Sequence, residues 1–327
     1  MAFKKPLISV IILCHTRRDY VINAIKSVLH QSIDRDNYDV VLVKYFEDPE
    51  LDEIAVRNGI HCITSRSERV GGQIIEAVEY CRGEIVSFLD DDDIFLPNKL
   101  KYVTDIFSCY PEIALFKHAI IPHFRFSPPN HMAKSWHLNY VESFYCDNRS
   151  YGTFKIFWRK CFLNNSSISV RKSLLYTYSK QLENLFITLD VFLFIITMLS
   201  GSSFLYIPVE LSVYNIGSAG STHDRKSFSD IYRKHKLDDE LFQQMMYGNG
   251  PLKILSNNVN LGAAYDDLFL VIYSQSTHST AYFIQIAKKI IKYYSVGVFH
   301  FCLWRDVFVF TFSPFSNLKK ALQTLLK

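Results

Sequence analysis

Four aspartates stand in a row at Asp90–Asp93, directly after the apolar run Glu84–Leu89. Alternate strand residues point the same way, so Asp90 and Asp92 share a side, roughly 6–7 Å apart along the chain. A turn there can converge both on one hard cation. Mg²⁺ and Mn²⁺ take oxygen ligands, often one or two carboxylates plus substrate phosphates. The same residues also suit a solvated acidic loop in which Asp92 or Asp93 caps the next helix. A further carboxylate, Asp190, sits between Leu189 and Val191 in the apolar stretch Leu185–Leu199. Burial disfavours its ionised form and raises its pKa, which suits a general base. It equally suits a helix start at Thr188 or Asp190. His223, in Gly-Ser-Thr-His-Asp, has three readings: a metal ligand, a contact to a departing diphosphate, or an exposed loop residue. Arg171-Lys172 either meets an anion or begins a solvated helix.

These residues need a frame. Ile8–Leu13, Val40–Val43, Ile60–Thr64 and Glu84–Leu89 are short apolar runs that read as buried strands. Asp19–Gln31, Glu50–Asn58 and Gly72–Cys81 read as helices between them, the second closed by Gly59. Four β-α units specify a doubly wound α/β sheet, whose ligands lie beyond the carboxyl ends of the strands. His15-Thr16-Arg17-Arg18, Lys44–Glu47 and Asp90–Asp93 all fall at such ends. Pro97–Tyr110 reads as a further helix and 117–165 as irregular. Leu182–Leu199 reads as one apolar helix, Phe204–Ile207 and Glu210–Asn215 as strands split at Pro208, and the chain from Lys226 as helical.

With 327 residues there is room for two compact units. Hydrophobic residues at 49% and charged residues at 21% exclude a disordered tail, a collagen-like fibre and a long coiled coil. Seven scattered cysteines without a CxxC pair argue against a disulfide framework or a zinc cluster and for a reducing compartment. No uncharged run reaches the length of a membrane span. The eight-residue run Leu7–Cys14 reads as a first strand, not a leader peptide. A net charge of +4 is too mild to argue for nucleic acid. That charge is uneven, because residues 288–327 hold seven cations and one anion.

Five segments in order resemble family-2 glycosyltransferases of the GT-A fold. ISVIILCHTRRDYVINAIKSVLHQS is similar to the family's opening strand and helix, and RVGGQIIEAVEYCRGEIVSFLDDDDIFLPNKL to its nucleotide-flanking helix and DXD segment. NNSSISVRKSLL and TLDVFLFIITMLSG resemble the entry to the acceptor half and the stretch holding the catalytic carboxylate, and FLYIPVELSVYNIGSAGST resembles the strands that follow. The resemblance spans about residues 7–223. It implies a GT-A nucleotide-diphospho-sugar transferase fold with a mixed sheet, and non-processive, inverting transfer from a nucleotide-sugar donor to a glycan or lipid-linked acceptor. It implies a divalent Mn²⁺ or Mg²⁺ on Asp90 and Asp92; His223 is a third candidate ligand from its loop position alone. Asp190 stands where the family has its base. His15, Thr16, Arg17, Arg69, Gly72, Asp90 and Asp91 stand where the donor is held.

Three positions depart from the pattern. Lys44 and Tyr45 replace an aspartate near the donor base, Thr16 replaces an asparagine, and Leu189 replaces a glutamate. A phosphatase reading fails because Asp93 and Ile94 do not fit its motif. A nucleotidyltransferase would show a Gly-rich loop near His15–Asp19, which has none. A non-enzymatic membrane-surface scaffold is the remaining alternative. The expected organisation is a catalytic domain over 1–225 and a helical region over 226–327. Lys288, Lys289 and Lys292 among the aromatics of 281–312 suit either an interfacial helix on anionic lipid or a helical cap or homodimer contact. The expected place is the cytoplasm or the cytoplasmic face of a membrane.

Overall fold

The computed structural model describes residues 8–15, 18–124, 144–146, 164–216 and 225–247. Its strands are β1 (Ile8–Cys14), β2 (Tyr38–Lys44), β3 (His61–Thr64), β4 (Ile85–Asp90), β5 (Ile94–Phe95), β6 (Ile113–Phe124), β7 (Phe144–Cys146), β8 (Ile168–Arg171) and β9 (Ser203–Ile216). Its helices are α1 (Arg18–Leu29), α2 (Pro49–Arg57), α3 (Val70–Val78), α4 (Lys99–Cys109), α5 (Lys172–Thr177), α6 (Ser179–Leu182), α7 (Leu189–Leu199) and α8 (Arg225–Met246).

The strands form one mixed sheet in the order β3-β2-β1-β4-β8-β6-β9-β5, with β7 on β9. The first four are parallel, and β8 runs antiparallel between β4 and β6. β1 and β2 are buried along their whole length, which explains their unbroken apolar runs. Side chains alternate between two cores. Ile11 and Leu13 pack with α3, α7 and α8, whereas Val10 and Ile12 pack with α1, α2 and α4. The register pairs Leu13 with Asp90 and Cys14 with Lys44, so the polar residues after β1, β2 and β4 reach one edge together.

The structure corrects three elements. Residues 117–124 belong to β6 and are not irregular. Lys117 and His118 break the apolar period there, yet both are buried. Pro208 does not split β9, which runs on through a register shift opposite His118/Ala119. The apolar stretch 182–199 is not one helix, because residues 183–188 separate α6 from α7. The expected boundary at 225/226 falls at the start of α8, and Phe242 and Met246 of α8 lie in the core beside α3 and α7. Residues 248–327, with the basic aromatic segment, lie outside the described residues. Among the described residues, no helix is long and apolar enough to cross a membrane.

Candidate active site

The acidic loop sorts its four carboxylates by burial. Asp91 and Asp93 are fully enclosed, whereas Asp90 and Asp92 keep partial exposure. Asn165 Nδ2 donates to both Asp90 oxygens at 3.1 and 3.3 Å, and the Asp90 amide donates to Ser166 Oγ at 3.0 Å. Burial, reinforced by Asp93 and Asp92, holds the Asp90 carboxyl well above the usual carboxylate range. Asp93 accepts from the Asn215 amide at 2.9 Å and from Asn164 Nδ2 at 3.3 Å. Burial still pushes it up to about 6. Asp91 Oδ2 accepts from the His15 amide at 2.9 Å. The Asp91 side chain has no exposed surface.

Two buried lysines stand under this loop. Lys99 Nζ donates to Ser166 O at 2.6 Å and lies 3.7 Å from the centre of the Phe95 ring. Burial pulls its ammonium well below the usual lysine range, against the pull of Asp93. Lys117 Nζ donates to Ser167 Oγ at 2.9 Å. Next to it, His118 Nδ1 lies 2.7 Å from Ala119 O, so the ring proton sits on Nδ1. Burial and Lys99 hold this imidazole neutral.

The oxygen chemistry fits a hard cation. The buried Oδ1 atoms of Asn164, Asn165 and Asn215 accept no hydrogen bond from a described residue, and each asparagine belongs to the acidic loop's shell. Among the described residues, no three His, Cys, Asp or Glu side chains form a metal cluster by themselves. Two carboxylates completed by substrate phosphates is the arrangement such ions commonly accept.

Asp190 lies in the first turn of α7, half-buried, with Oδ1 accepting from the Val191 amide at 2.8 Å. Burial raises its pKa, opposed by that amide and by the charge of Lys117. Tyr214 joins it to the acidic loop. Its phenol is pushed up first by burial and then by the charges of Asp93, Asp90, Asp92 and Asp190. The charges of the acidic loop and of Asp190 thus both act on this phenol.

At the first two strand ends, the His15 and Tyr45 rings lie 6.0 Å apart. Lys44 turns inward, fully buried, and donates to Phe46 O and Thr64 Oγ1, both at 2.9 Å. Arg69 Nη1 donates to Asn184 Oδ1 at 2.9 Å, with the guanidinium 4.7 Å from the centre of the Phe186 ring. Gly72 lies where a Cβ would meet Ser67 Oγ at 2.2 Å, so close packing fixes its type. The amides of Val70 and Gly71 at the start of α3 donate to Phe186 O and Leu185 O. Protein carbonyls thus take up these two helix-start amides. Arg171 donates to Ile113 O and Pro111 O, at the opposite edge of the sheet from Asp90, so the anion reading for it falls. Thr16, Arg17 and His223 lie outside the described residues. The sequence reading missed Lys99, Lys117, His118, Asn165 and Tyr214. The one signal available was a pair of polar residues, Lys117-His118, inside an apolar run.

A family model described as Glycosyl transferase family 2 matches residues 9–170. Among solved structures, S. aureus TarS 1-349 in complex with UDP-GlcNAc is 13% identical, with a TM-score of 0.52 over 88% of this chain and 89% of that one. TarS 1-349 alone is 15% identical at a TM-score of 0.51, over the same shares of the two chains. Against the longer S. aureus TarS structure, identity is 14% and the TM-score 0.50, and 88% of this chain spans 54% of that one. These likenesses match the GT-A fold. Residues 9–170, just under half of the chain, form a glycosyl transferase family 2 domain.

Proposed function

We propose that the enzyme moves a sugar from a nucleoside-diphosphate donor to an acceptor hydroxyl in one inverting displacement, with Asp190 as the base. The observation that carries this reading is that Tyr214 feels the charges of both the acidic loop and Asp190. A base and a leaving-group site must flank the reacting carbon from opposite sides. Asp190 takes the acceptor proton as the acceptor oxygen bonds to the anomeric carbon, and the bond to the diphosphate breaks with its electron pair leaving on oxygen. Its raised pKa makes it a stronger proton acceptor than an ordinary carboxylate. Asp90 and Asp92 would hold a divalent cation, which supplies charge neutralisation at the diphosphate. His15 and Tyr45 offer ring surface towards the donor's nucleoside.

The acceptor is a glycan or a lipid-linked glycan, met in the cytoplasm, and the basic aromatic segment 281–312 would bring the enzyme to an anionic membrane face. A thermal-shift panel of UDP-GlcNAc, GDP-mannose and dTDP-glucose, with and without Mn²⁺, should show a metal-dependent rise in midpoint for one donor. Asp190→Asn should keep that rise and lose turnover. Normal turnover in that variant would remove the base assignment. Flotation with anionic liposomes should recover the full chain but not a truncation at residue 280.

A further inference from the structure

Three consecutive main-chain amides, at Phe186, Ile187 and Thr188, point at one carboxylate from another part of the chain. Asp238 of α8 is fully buried. Its Oδ1 accepts from Phe186 N at 2.7 Å. Its Oδ2 accepts from Ile187 N at 2.9 Å, Thr188 N at 2.9 Å and Thr188 Oγ1 at 2.8 Å. Thr188 is the N-cap of α7, yet its side chain makes no cap bond within its own helix. Its hydroxyl is given to Asp238 instead. On the other side of the same segment, Leu185 O and Phe186 O accept from Gly71 N at 3.0 Å and Val70 N at 3.1 Å. The segment is therefore clamped between α3 and α8, and the residue after Thr188 but one is Asp190.

We propose that Asp238 is a positioning residue for the transfer: by fixing the peptides that launch α7, it sets where the Asp190 carboxylate stands. The inference rests on the reading of Asp190 as the base. A carboxylate that must receive a proton from an attacking hydroxyl tolerates little displacement, and misplacement by about 1 Å can cost roughly 100-fold in rate. An ordinary N-cap would hold the helix end locally. Here the restraint comes from α8, so the stance of the base depends on a helix beyond the matched family domain. A neutral replacement cannot copy it, because Oδ2 accepts three hydrogen bonds and an amide nitrogen in its place accepts none.

The test measures release of nucleoside diphosphate from UDP-GlcNAc, GDP-mannose or dTDP-glucose with Mn²⁺, using the full chain. Asp238→Asn should lower kcat about 10- to 100-fold, with KM for the donor and the donor-induced thermal shift unchanged. Added to Asp190→Asn, it should cause no further loss, since the group it positions is gone. If Asp238→Asn does not fold, Thr188→Val, which removes one of the four hydrogen bonds, should still lower kcat several-fold at constant KM. Wild-type kcat in folded Asp238→Asn or Thr188→Val overturns the proposal. So does an equal loss in the Asp190→Asn background. Undiminished turnover by Asp190→Asn itself is a separate result, and it removes the base assignment rather than the clamp.

Discussion

The His15 amide donates to Asp91 Oδ2 at 2.9 Å, and the Asp91 amide donates back to Leu13 O at 3.1 Å. The end of β1 is thereby strapped to the first residue past β4. Asp91→Ala leaves the half-buried His15 amide without this acceptor, at a cost of about 1–3 kcal/mol. Asp91→Asn retains an oxygen that can accept, and should recover most of that loss. Urea midpoints of the two variants check the difference. Donor affinity by calorimetry should fall in Asp91→Ala, because His15 is freed. An alanine variant as stable as the parent would show that the strap holds nothing.

Asp190 should reveal its role by an inverse effect on stability. Its folded pKa is raised, so the folded state holds its proton to higher pH than the unfolded chain does. Stability is then lost as pH rises from the ordinary carboxylate range, near 4, through the folded pKa. Asp190→Asn removes that loss while keeping an oxygen for the Val191 amide. The variant should melt higher than the parent at pH 7 and match it at pH 3.5, while turnover drops by about 100-fold or more. The sign holds because burial outweighs the opposing Val191 amide and Lys117 charge. A lower melting point at pH 7 would mean that the charge is compensated better than this.

What the sequence made legible follows from how local each signal is. β1, β2 and β4 announce themselves because parallel strands buried on both faces need unbroken apolar runs. Asp90–Asp93 is legible because the run ends there. β6 is obscured because Lys117 and His118 break the period, and only tertiary partners such as Ser167 and Ala119 make their burial tolerable. Asp238 was beyond reach for a different reason. Its partners are backbone amides about 50 residues away, which any sequence supplies. The resemblance alone places Arg69 and Gly72 at the donor; the bond of Arg69 to Asn184 and the packing of Gly72 on Ser67 are tertiary contacts that no local sequence signal announces.

The two adjacent glycines of α3 should differ in how they can be rescued. Alanine normally favours a helix over glycine by about 1 kcal/mol. At Gly71 a Cβ would lie 1.6 Å from Leu182 O, and that atom is backbone. At Gly72 the obstruction is the Ser67 side chain, with Oγ at 2.2 Å and Cβ at 2.7 Å. Gly71→Ala should cost about 3 kcal/mol or more, with no side-chain truncation restoring it. Gly72→Ala should also destabilise, but adding Ser67→Gly should raise the melting point again. Thermal denaturation of the three variants decides this. Because Leu182 leads into the segment clamped by Asp238, Gly71→Ala should depress turnover as well.

Lys44 occupies the position where the family pattern has a carboxylate, and its chemistry is turned inward. Its Nζ lies 3.2 Å from Asp52 Oδ1, besides its bonds to Phe46 O and Thr64 Oγ1. The side chain of Asp52 is 38% exposed, so it can be solvated if the lysine is lost. Lys44→Met should therefore cost only the lost hydrogen bonds, about 1–3 kcal/mol. Lys44→Asp restores the family residue type but puts a second negative charge into a fully buried position beside Asp52. It should fold far less well than the methionine variant and gain no donor affinity. Exposed Tyr45, next along the chain with its ring 6.0 Å from that of His15, is the residue proposed above to meet a nucleoside. Stacking of a base on an aromatic ring contributes about 1–3 kcal/mol, so Tyr45→Ala should weaken donor binding roughly 5- to 150-fold. Calorimetric titration of the three variants with the same nucleotide sugar separates the two roles: a large affinity change in Lys44→Met with none in Tyr45→Ala would reverse the assignment.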